Sequence, residues 1–142
     1  MGSAYEGAGK YPEATYATPD FSLFAEKSRF TDDTVLTVAL ADALLTEERD
    51  FAGKLRDYTK KYPERRYGKG FLKRVKGDLS DEFAGKSFTN GSAMRVIPVA
   101  WAAKDLEEAL NLAAETAKIS HDHPEGIKGA QAIASAVYLA KS

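Results

Sequence analysis

Two adjacent carboxylates stand directly before an apolar run, and this arrangement constrains the fold more than any other stretch of the chain. The motif is Thr31-Asp32-Asp33-Thr34, and the apolar run covers residues 35–41. Threonine and aspartate are favoured at helix N-termini, and acidic side chains in the first turn oppose the helix dipole. The same oxygens can instead bind a hard divalent cation, which offsets the cost of holding carboxylates beside a core. Capping is much the commoner use, so these four residues alone favour a helix start.

The size and composition of the chain are those of one globular domain. Its 142 residues are 44% apolar and 29% charged, and a domain of this length buries roughly 68–70% of its unfolded surface. The net charge of -1 gives no general attraction to nucleic acid or to an anionic membrane. The chain has no cysteine, which excludes disulfides and cysteine-ligated metals, and its N-terminus lacks a secretory pattern. We therefore expect a single cytoplasmic domain over residues 1–142, with neither a membrane nor a nucleic acid as its partner.

Apolar residues recur at helical spacing along the chain, and no stretch shows sustained alternation with period two. Asp105, followed by Glu108, resembles a capping box and marks one helix start. Pro124 suits the first turn of another helix. Apolar residues on most sides of the first helix predict a central position for it. We predict a compact all-α fold, with helices at residues 33–46, 50–61, 71–75, 93–95, 105–119 and 125–140.

Three further stretches carry side chains that could bind a ligand or a metal or act in catalysis. Residues 87–92 are rich in glycine and hydroxyls and lead into a predicted helix, whose first amides would suit an anion. Arg95 fits such a site, although an ordinary structural ion pair explains it too. His121 and His123 favour a helix cap or a ligand contact, because two ligands do not make a metal site. Glu6 fits a general base or a metal-shell residue, but by itself a solvated loop acid is the simpler interpretation.

Five stretches, in this order, resemble the ADP-ribosylglycohydrolase family and together cover nearly the whole chain. They are Gly2-Ser3-Ala4-Tyr5-Glu6, Ser28-Arg29-Phe30-Thr31-Asp32-Asp33-Thr34, Arg66-Tyr67-Gly68-Lys69-Gly70-Phe71, Asn90-Gly91-Ser92-Ala93-Met94-Arg95-Val96 and Ser120-His121-Asp122-His123-Pro124-Glu125-Gly126. The second and fourth stretches are the specific ones. The resemblance implies an orthogonal all-α fold with a binuclear magnesium centre. It also implies hydrolysis of the glycosidic bond that joins ADP-ribose to a protein or a small molecule.

The resemblance also implies roles for individual residues. Thr31, Asp32 and Asp33 would be ligands of Mg²⁺, and the two aspartates would act in catalysis with Glu6, the carboxylate near the scissile bond. The implied contacts to ADP-ribose are Ser87, Phe88, Asn90, Gly91 and His121, and we add Arg95 to this group from the anion-site argument above.

The chain departs from the family pattern in its length and in two motifs. Family members are considerably longer, and their second metal motif, Asp-x-Asp-Thr/Ser, has no counterpart in these 142 residues. Thr89 stands where a glycine is common, and we expect it to disturb the diphosphate loop. Two carboxylates and one hydroxyl leave two adjacent magnesium ions short of protein oxygens, so we expect weak or single-metal binding.

Two alternatives to a hydrolase follow from these departures. The first is a degenerate module that binds ADP-ribose or a related nucleotide without cleaving it. The second is an interaction protein that self-associates or pairs with a complementing C-terminal half. Half of a fold would leave apolar surface uncovered, and such surfaces mark interaction sites.

Overall fold

The computed structural model describes residues 28–75 and 87–142, together with Glu26 and Gly77. The chain divides into two compact units, Met1–Thr31 and Asp32–Ser142. In the described part of the first unit, Arg29 donates from Nη1 to the carbonyls of Glu26 and Ser28, at 2.9 and 2.8 Å. Glu6 lies outside the described residues, as does most of the first unit. The role of Glu6 and the single-domain organisation therefore stay predictions.

The described residues of the second unit form six α-helices joined by turns and loops, with no strand among them. This confirms the all-α prediction. The helices are α1 (Asp32–Leu44), α2 (Phe51–Lys61), α3 (Lys69–Val75), α4 (Ile97–Ala102), α5 (Leu106–Lys118) and α6 (Pro124–Lys141). The most extensive packing is between α5 and α6. α4 packs on both α6 and α1, and α1 packs on α2. None of the described helices is both long and apolar enough to cross a bilayer.

Side-chain caps account for three of the helix starts. Asp105 accepts a hydrogen bond from the Glu108 amide at 2.7 Å. Glu108 accepts one from the amide of Lys104 at 2.8 Å, one residue before the N-cap, so the pattern is a variant of the capping box. Asp50 caps α2 in the same way through the amide of Gly53. α6 begins at Pro124, after a cap in which Nδ1 of His123 accepts from the Glu125 amide.

The predicted helix at residues 93–95 is wrong. Residues 90–95 form a turn, in which the Met94 amide donates to the Asn90 carbonyl at 2.9 Å, and α4 begins only at Ile97. Pro98 explains the break, because a proline inside a helix lacks the amide and its ring clashes with the carbonyl four residues earlier. At the first turn of α4 the same proline is tolerated. The argument for an anion site at a helix start therefore no longer applies to this segment.

The largest fully buried aliphatic side chains of the core come from α1, α2 and the α4 region, and α5 and α6 add mainly alanines. Leu36, Leu40, Leu55, Val96 and Val99 are each no more than 1% exposed. Fully burying a side chain of this size stabilises a fold by about 1.5–3 kcal/mol. These contacts fix α1 against α4, and so they fix the start of α1 beside the turn at residues 90–95.

One side of α1 remains open, so this helix is less central than its sequence predicts. Val38 is 46% exposed, and Leu45, just after the helix, is 87% exposed. Ile97 and Trp101 of α4 share one surface with Leu45, at 43% and 64% exposure. We call the surface of Leu45, Ile97 and Trp101 the α1–α4 face. It is apolar surface of the kind expected of an interaction protein, and a partner for it stays a prediction.

Candidate functional site

A cavity of about 370 Å³ lies within the second unit, which is in the range of roughly 300–1,000 Å³ that small-molecule sites occupy. Its wall is assembled from four segments that are far apart in the sequence: the start of α1, the start of α3, the loop and turn at residues 87–95, and the residues that follow α5. The lining residues are Asp32, Leu36, Gly68, Lys69, Gly70, Phe71, Ser87, Thr89, Asn90, Gly91, Met94, Arg95, Ser120 and His121.

Arg95 places a buried positive charge in this wall. The residue is 1% exposed, and its Nη2 donates to the Thr116 carbonyl at 3.0 Å and to Ser120 Oγ at 2.8 Å. The guanidinium carbon lies 5.8 Å from the centre of the Phe71 ring, a cation–π contact. Burial lowers the pKa of Arg95 to about 10, so the group stays charged at neutral pH.

The Arg95 charge is not compensated by the residues that the structure describes. Its Nε and Nη1 atoms are buried and have no hydrogen-bond partner among residues 28–75 and 87–142, and burial is what lowers its pKa. Isolated buried charges are expensive, and buried donors are normally paired. An anion in the adjoining cavity would supply the missing negative charge.

His121 lies beside Arg95 and is held at both ring nitrogens. It is 4% exposed, with Nδ1 at 2.8 Å from Ser120 Oγ and Nε2 at 3.2 Å from Thr89 Oγ1. Desolvation by burial lowers the pKa of His121 to about 4, and the nearby Arg95 charge acts in the same direction. The imidazole is therefore neutral near pH 7.

Two glycines make room for the His121 side chain. A Cβ on Gly91 would lie 2.9 Å from Cε1 and 3.0 Å from Nε2 of the ring. A Cβ on Gly126 would lie 2.8 Å from the Ser87 carbonyl oxygen and 3.0 Å from His121 Cβ. The Gly126 carbonyl also accepts a hydrogen bond from Ser92 Oγ at 2.8 Å. These close approaches fix the loop at residues 87–91 against the start of α6.

We expect Gly126→Ala to destabilise the fold by about 1–2 kcal/mol, because overpacking costs roughly 1–3 kcal/mol and the helical preference of alanine returns up to about 1. Gly129→Ala is the matched control on the same helix, since its added Cβ would meet only the Ala93 Cβ, at 4.0 Å. That variant should gain up to about 1 kcal/mol. Denaturant unfolding of both variants checks the prediction, and equal stabilisation of the two would contradict it.

The two aspartates of the opening motif form the first turn of α1. Asp32 lines the cavity, and its amide donates to the Arg65 carbonyl at 2.7 Å. The Asp33 carbonyl accepts from Thr37 Oγ1 at 2.6 Å. The predicted helix start is confirmed, and the position of Asp32 leaves a metal role open as well.

The donor chemistry at the start of α1 suits one magnesium ion but not two. Within residues 28–75 and 87–142, no three histidine or acidic side chains converge. Magnesium is commonly held by one or two carboxylates, with water and substrate phosphates completing its octahedron. Asp32 and Asp33 match that description for a single ion, and a second ion would need ligands from elsewhere.

The chain as a whole matches a known protein family. Residues 1–142 match the family model described as ADP-ribosylglycohydrolase. The chain belongs to the ADP-ribosylglycohydrolase family. The resemblance carried by the five motifs is thereby confirmed.

Curated ADP-ribosylglycohydrolase relatives share about a third of the aligned residues. ADP-ribosylhydrolase ARH3 of Mus musculus is 34% identical over 127 residues, which cover 78% of this chain and 34% of the relative. The Homo sapiens protein of that name is 34% identical over 78% of this chain and 35% of the relative. The Gallus gallus protein is 31% identical over 93% of this chain and 40% of the relative. The chain thus spans much less than two thirds of the length of these relatives.

The cavity gathers most of the residues that were predicted to contact the substrate. Ser87, Asn90, Gly91, Arg95 and His121 all line it, although up to 34 positions separate them in the sequence.

Three predicted site residues stand apart from this group, and one of them is Asp33, which does not line the cavity. Phe88 is 71% exposed and lies outside the lining, with its ring tilted against His123 at a centroid distance of 5.6 Å. Thr31, a predicted metal ligand, belongs to the first unit.

Sequence reasoning did not assign Ser120 and Thr89 to the site. Ser120 joins Arg95 to His121 at 2.8 Å on each side. Thr89 Oγ1 lies 2.9 Å from Ser87 Oγ as well as 3.2 Å from the histidine, so it ties the loop to the ring. Their positions in the sequence could have indicated this role, because Ser120 directly precedes His121 and Thr89 lies in the glycine-rich loop.

Proposed function

We propose that this chain binds ADP-ribose in the cavity and takes part, with Mg²⁺, in hydrolysis of the bond between ADP-ribose and a modified target. The observation that carries the proposal is the buried Arg95, whose Nε and Nη1 lack acceptors at the wall of a cavity. A diphosphate offers both negative charge and acceptor oxygens, and arginine matches such groups in geometry. Membership of the family and the names of the relatives support the same substrate.

The remaining lining residues suit the rest of such a ligand. Ser87, Asn90 and His121 present hydrogen-bonding groups of the kind that orient ribose hydroxyls and phosphates. Gly91 lets the loop lie close against the His121 ring, because a Cβ at this position would meet the ring. Together these residues would bind and orient the ADP-ribose moiety.

Asp32 and Asp33 would hold one magnesium ion at the edge of the cavity. When bound, such an ion acts as a Lewis acid that polarises an oxygen or activates a water. Glu6, which lies outside the described residues, is the proposed carboxylate near the scissile bond. The neutral His121 would bring no charge to the ligand, and a ligand oxygen would take its Nε2 hydrogen bond in place of Thr89 Oγ1.

The metal role is tested with the double variant Asp32→Asn, Asp33→Asn. We expect it to lose the binding of Mg²⁺ and the part of ADP-ribose release that depends on Mg²⁺, because amides replace the anionic ligands. The variant also loses the helix-dipole contribution of the two carboxylates, about 0.3–1 kcal/mol for each residue. Calorimetric titration with Mg²⁺, and release of ADP-ribose from a modified protein with and without Mg²⁺, are the measurements.

Asp42→Asn is the control for this experiment. Asp42 lies on the same helix and pairs with Lys54 at 2.8 Å, but it does not line the cavity. It should leave the response to Mg²⁺ intact. An unchanged magnesium titration in the double variant would exclude the metal role.

Binding without cleavage is the second candidate function. It is favoured by the small number of metal ligands that converge within the described residues. Calorimetry that shows ADP-ribose binding, with no release from a modified substrate at any Mg²⁺ concentration, would select this function. Absence of ADP-ribose binding would overturn both candidates.

A further inference from the structure

We propose that Ser120 is a positioning residue that fixes the tautomer of His121, with the proton on Nε2, so that the histidine faces the loop at residues 87–91 as a hydrogen-bond donor. The inference begins with Arg95. A guanidinium has donors only, so Ser120 Oγ must accept the bond from Arg95 Nη2 at 2.8 Å. The direction of this first bond is therefore settled by chemistry alone.

The direction of the second bond follows from the first. Ser120 has one hydroxyl hydrogen, and among the described residues the remaining polar atom beside it is His121 Nδ1, at 2.8 Å. If Nδ1 carried a proton, two donors would point at the same oxygen and the serine hydrogen would have no acceptor. Ser120 is 5% exposed, and an unsatisfied buried donor is costly. Ser120 therefore donates to Nδ1, and the ring proton sits on Nε2.

The third bond agrees with this assignment. Nε2 lies 3.2 Å from Thr89 Oγ1, which can accept the Nε2 proton and pass its own hydrogen to Ser87 Oγ at 2.9 Å. A chain of hydrogen bonds thus runs from the buried cation to the loop, each one donating to the next. Its directions follow from the fixed charge of Arg95, because a guanidinium cannot reverse its role.

The assignment bears on what His121 can do. In this tautomer Nε2 cannot take a proton at neutral pH, and Nδ1 is occupied by Ser120. His121 therefore offers a donor to a ligand oxygen or to the loop, and it does not act as a general base. The use of this donor toward ADP-ribose rests on the proposed function, whereas the tautomer itself does not.

The test is nitrogen-15 NMR of the imidazole in the full chain, without any ligand. We expect the wild-type protein to show a protonated Nε2 and an unprotonated Nδ1. Ser120→Ala should change the tautomer ratio by roughly tenfold toward Nδ1–H, the amount expected when one buried hydrogen bond is lost. Ser120→Thr keeps the hydroxyl and should restore the wild-type pattern.

Ser92→Ala is the matched control, because Ser92 is a buried serine that bonds to the Gly126 carbonyl instead of to the ring. It should leave the His121 signals unchanged. A protonated Nδ1 in the wild-type spectrum would overturn the inference without the need for any variant, and so would an unaltered ratio in folded Ser120→Ala. Because no nucleotide is present, loss of the proposed function would leave this result standing.

Discussion

Arg95→Met should weaken the binding of ADP-ribose by at least about 30-fold, since truncating one partner of a buried, charged hydrogen-bonded pair costs about 2–5 kcal/mol. Nε and Nη1 of Arg95 are buried donors without a partner among the described residues, and methionine supplies neither donor nor charge. Calorimetric titration with ADP-ribose measures the loss.

The stability of the same variant should behave differently. Arg95→Met removes an uncompensated buried charge, and replacing such a charge by an apolar side chain of similar size is often neutral or stabilising. Two hydrogen bonds, to Thr116 and Ser120, are lost in exchange. We expect the free energy of unfolding to stay within about 1–2 kcal/mol of the wild-type value. Weak binding in a stable protein would show that Arg95 serves a ligand.

Arg74→Met is the control for both measurements. Arg74 is half-buried and donates from Nε to the Ile119 carbonyl at 2.6 Å, but it does not line the cavity. It should retain the wild-type affinity. Equal affinity losses in the two variants, or no loss in Arg95→Met, would contradict the assignment of the anion site.

Acid should destabilise the fold through His121. The folded pKa is about 4, against an ordinary value of 6.5, so the unfolded chain binds more protons between these two values. Stability therefore falls as the pH falls through this window, by on the order of 3 kcal/mol in total. Above pH 6.5 the imidazole is neutral in both the folded and the unfolded state, so it does not make the free energy of unfolding depend on pH.

Denaturant unfolding between pH 4 and pH 7 measures this effect. Carboxylates titrate in part of the same window, so the comparison is with His121→Gln, which keeps every carboxylate. The wild-type curve should be steeper than that of the variant between pH 6.5 and pH 4. Parallel curves would show that the buried environment of His121 does not control its protonation.

The helices of this chain are largely predictable because their signals are local. The Asp105 cap with Glu108, the proline at the start of α6 and the spacing of apolar residues all act within a few positions. The error at residues 93–95 is also local, since Pro98 forbids a continuous helix there. The open side of α1 was missed because a helix of apolar residues does not reveal which of its sides meets a neighbour.

The sequence predicts which residues form the candidate site better than it predicts their burial and their charge environment. The motif order points to Asp32, Asn90, Gly91 and His121, and the fold brings them to one cavity. Nothing in the sequence shows that Arg95 is buried without a counter-charge, because arginine is almost never fully buried unless it is paired. That property depends on α3 and α5, whose residues close around the guanidinium only in the folded chain.

The α1–α4 face gives the protein a built-in optical probe. Trp101 is the single tryptophan of the chain, and it is 64% exposed on this face. It does not line the cavity. The indole emission of the native protein should therefore be that of a hydrated ring and should change little when a nucleotide fills the cavity. A shift to shorter wavelength would instead signal that another apolar surface has covered the face, so fluorescence distinguishes occupancy of the cavity from association of the chain.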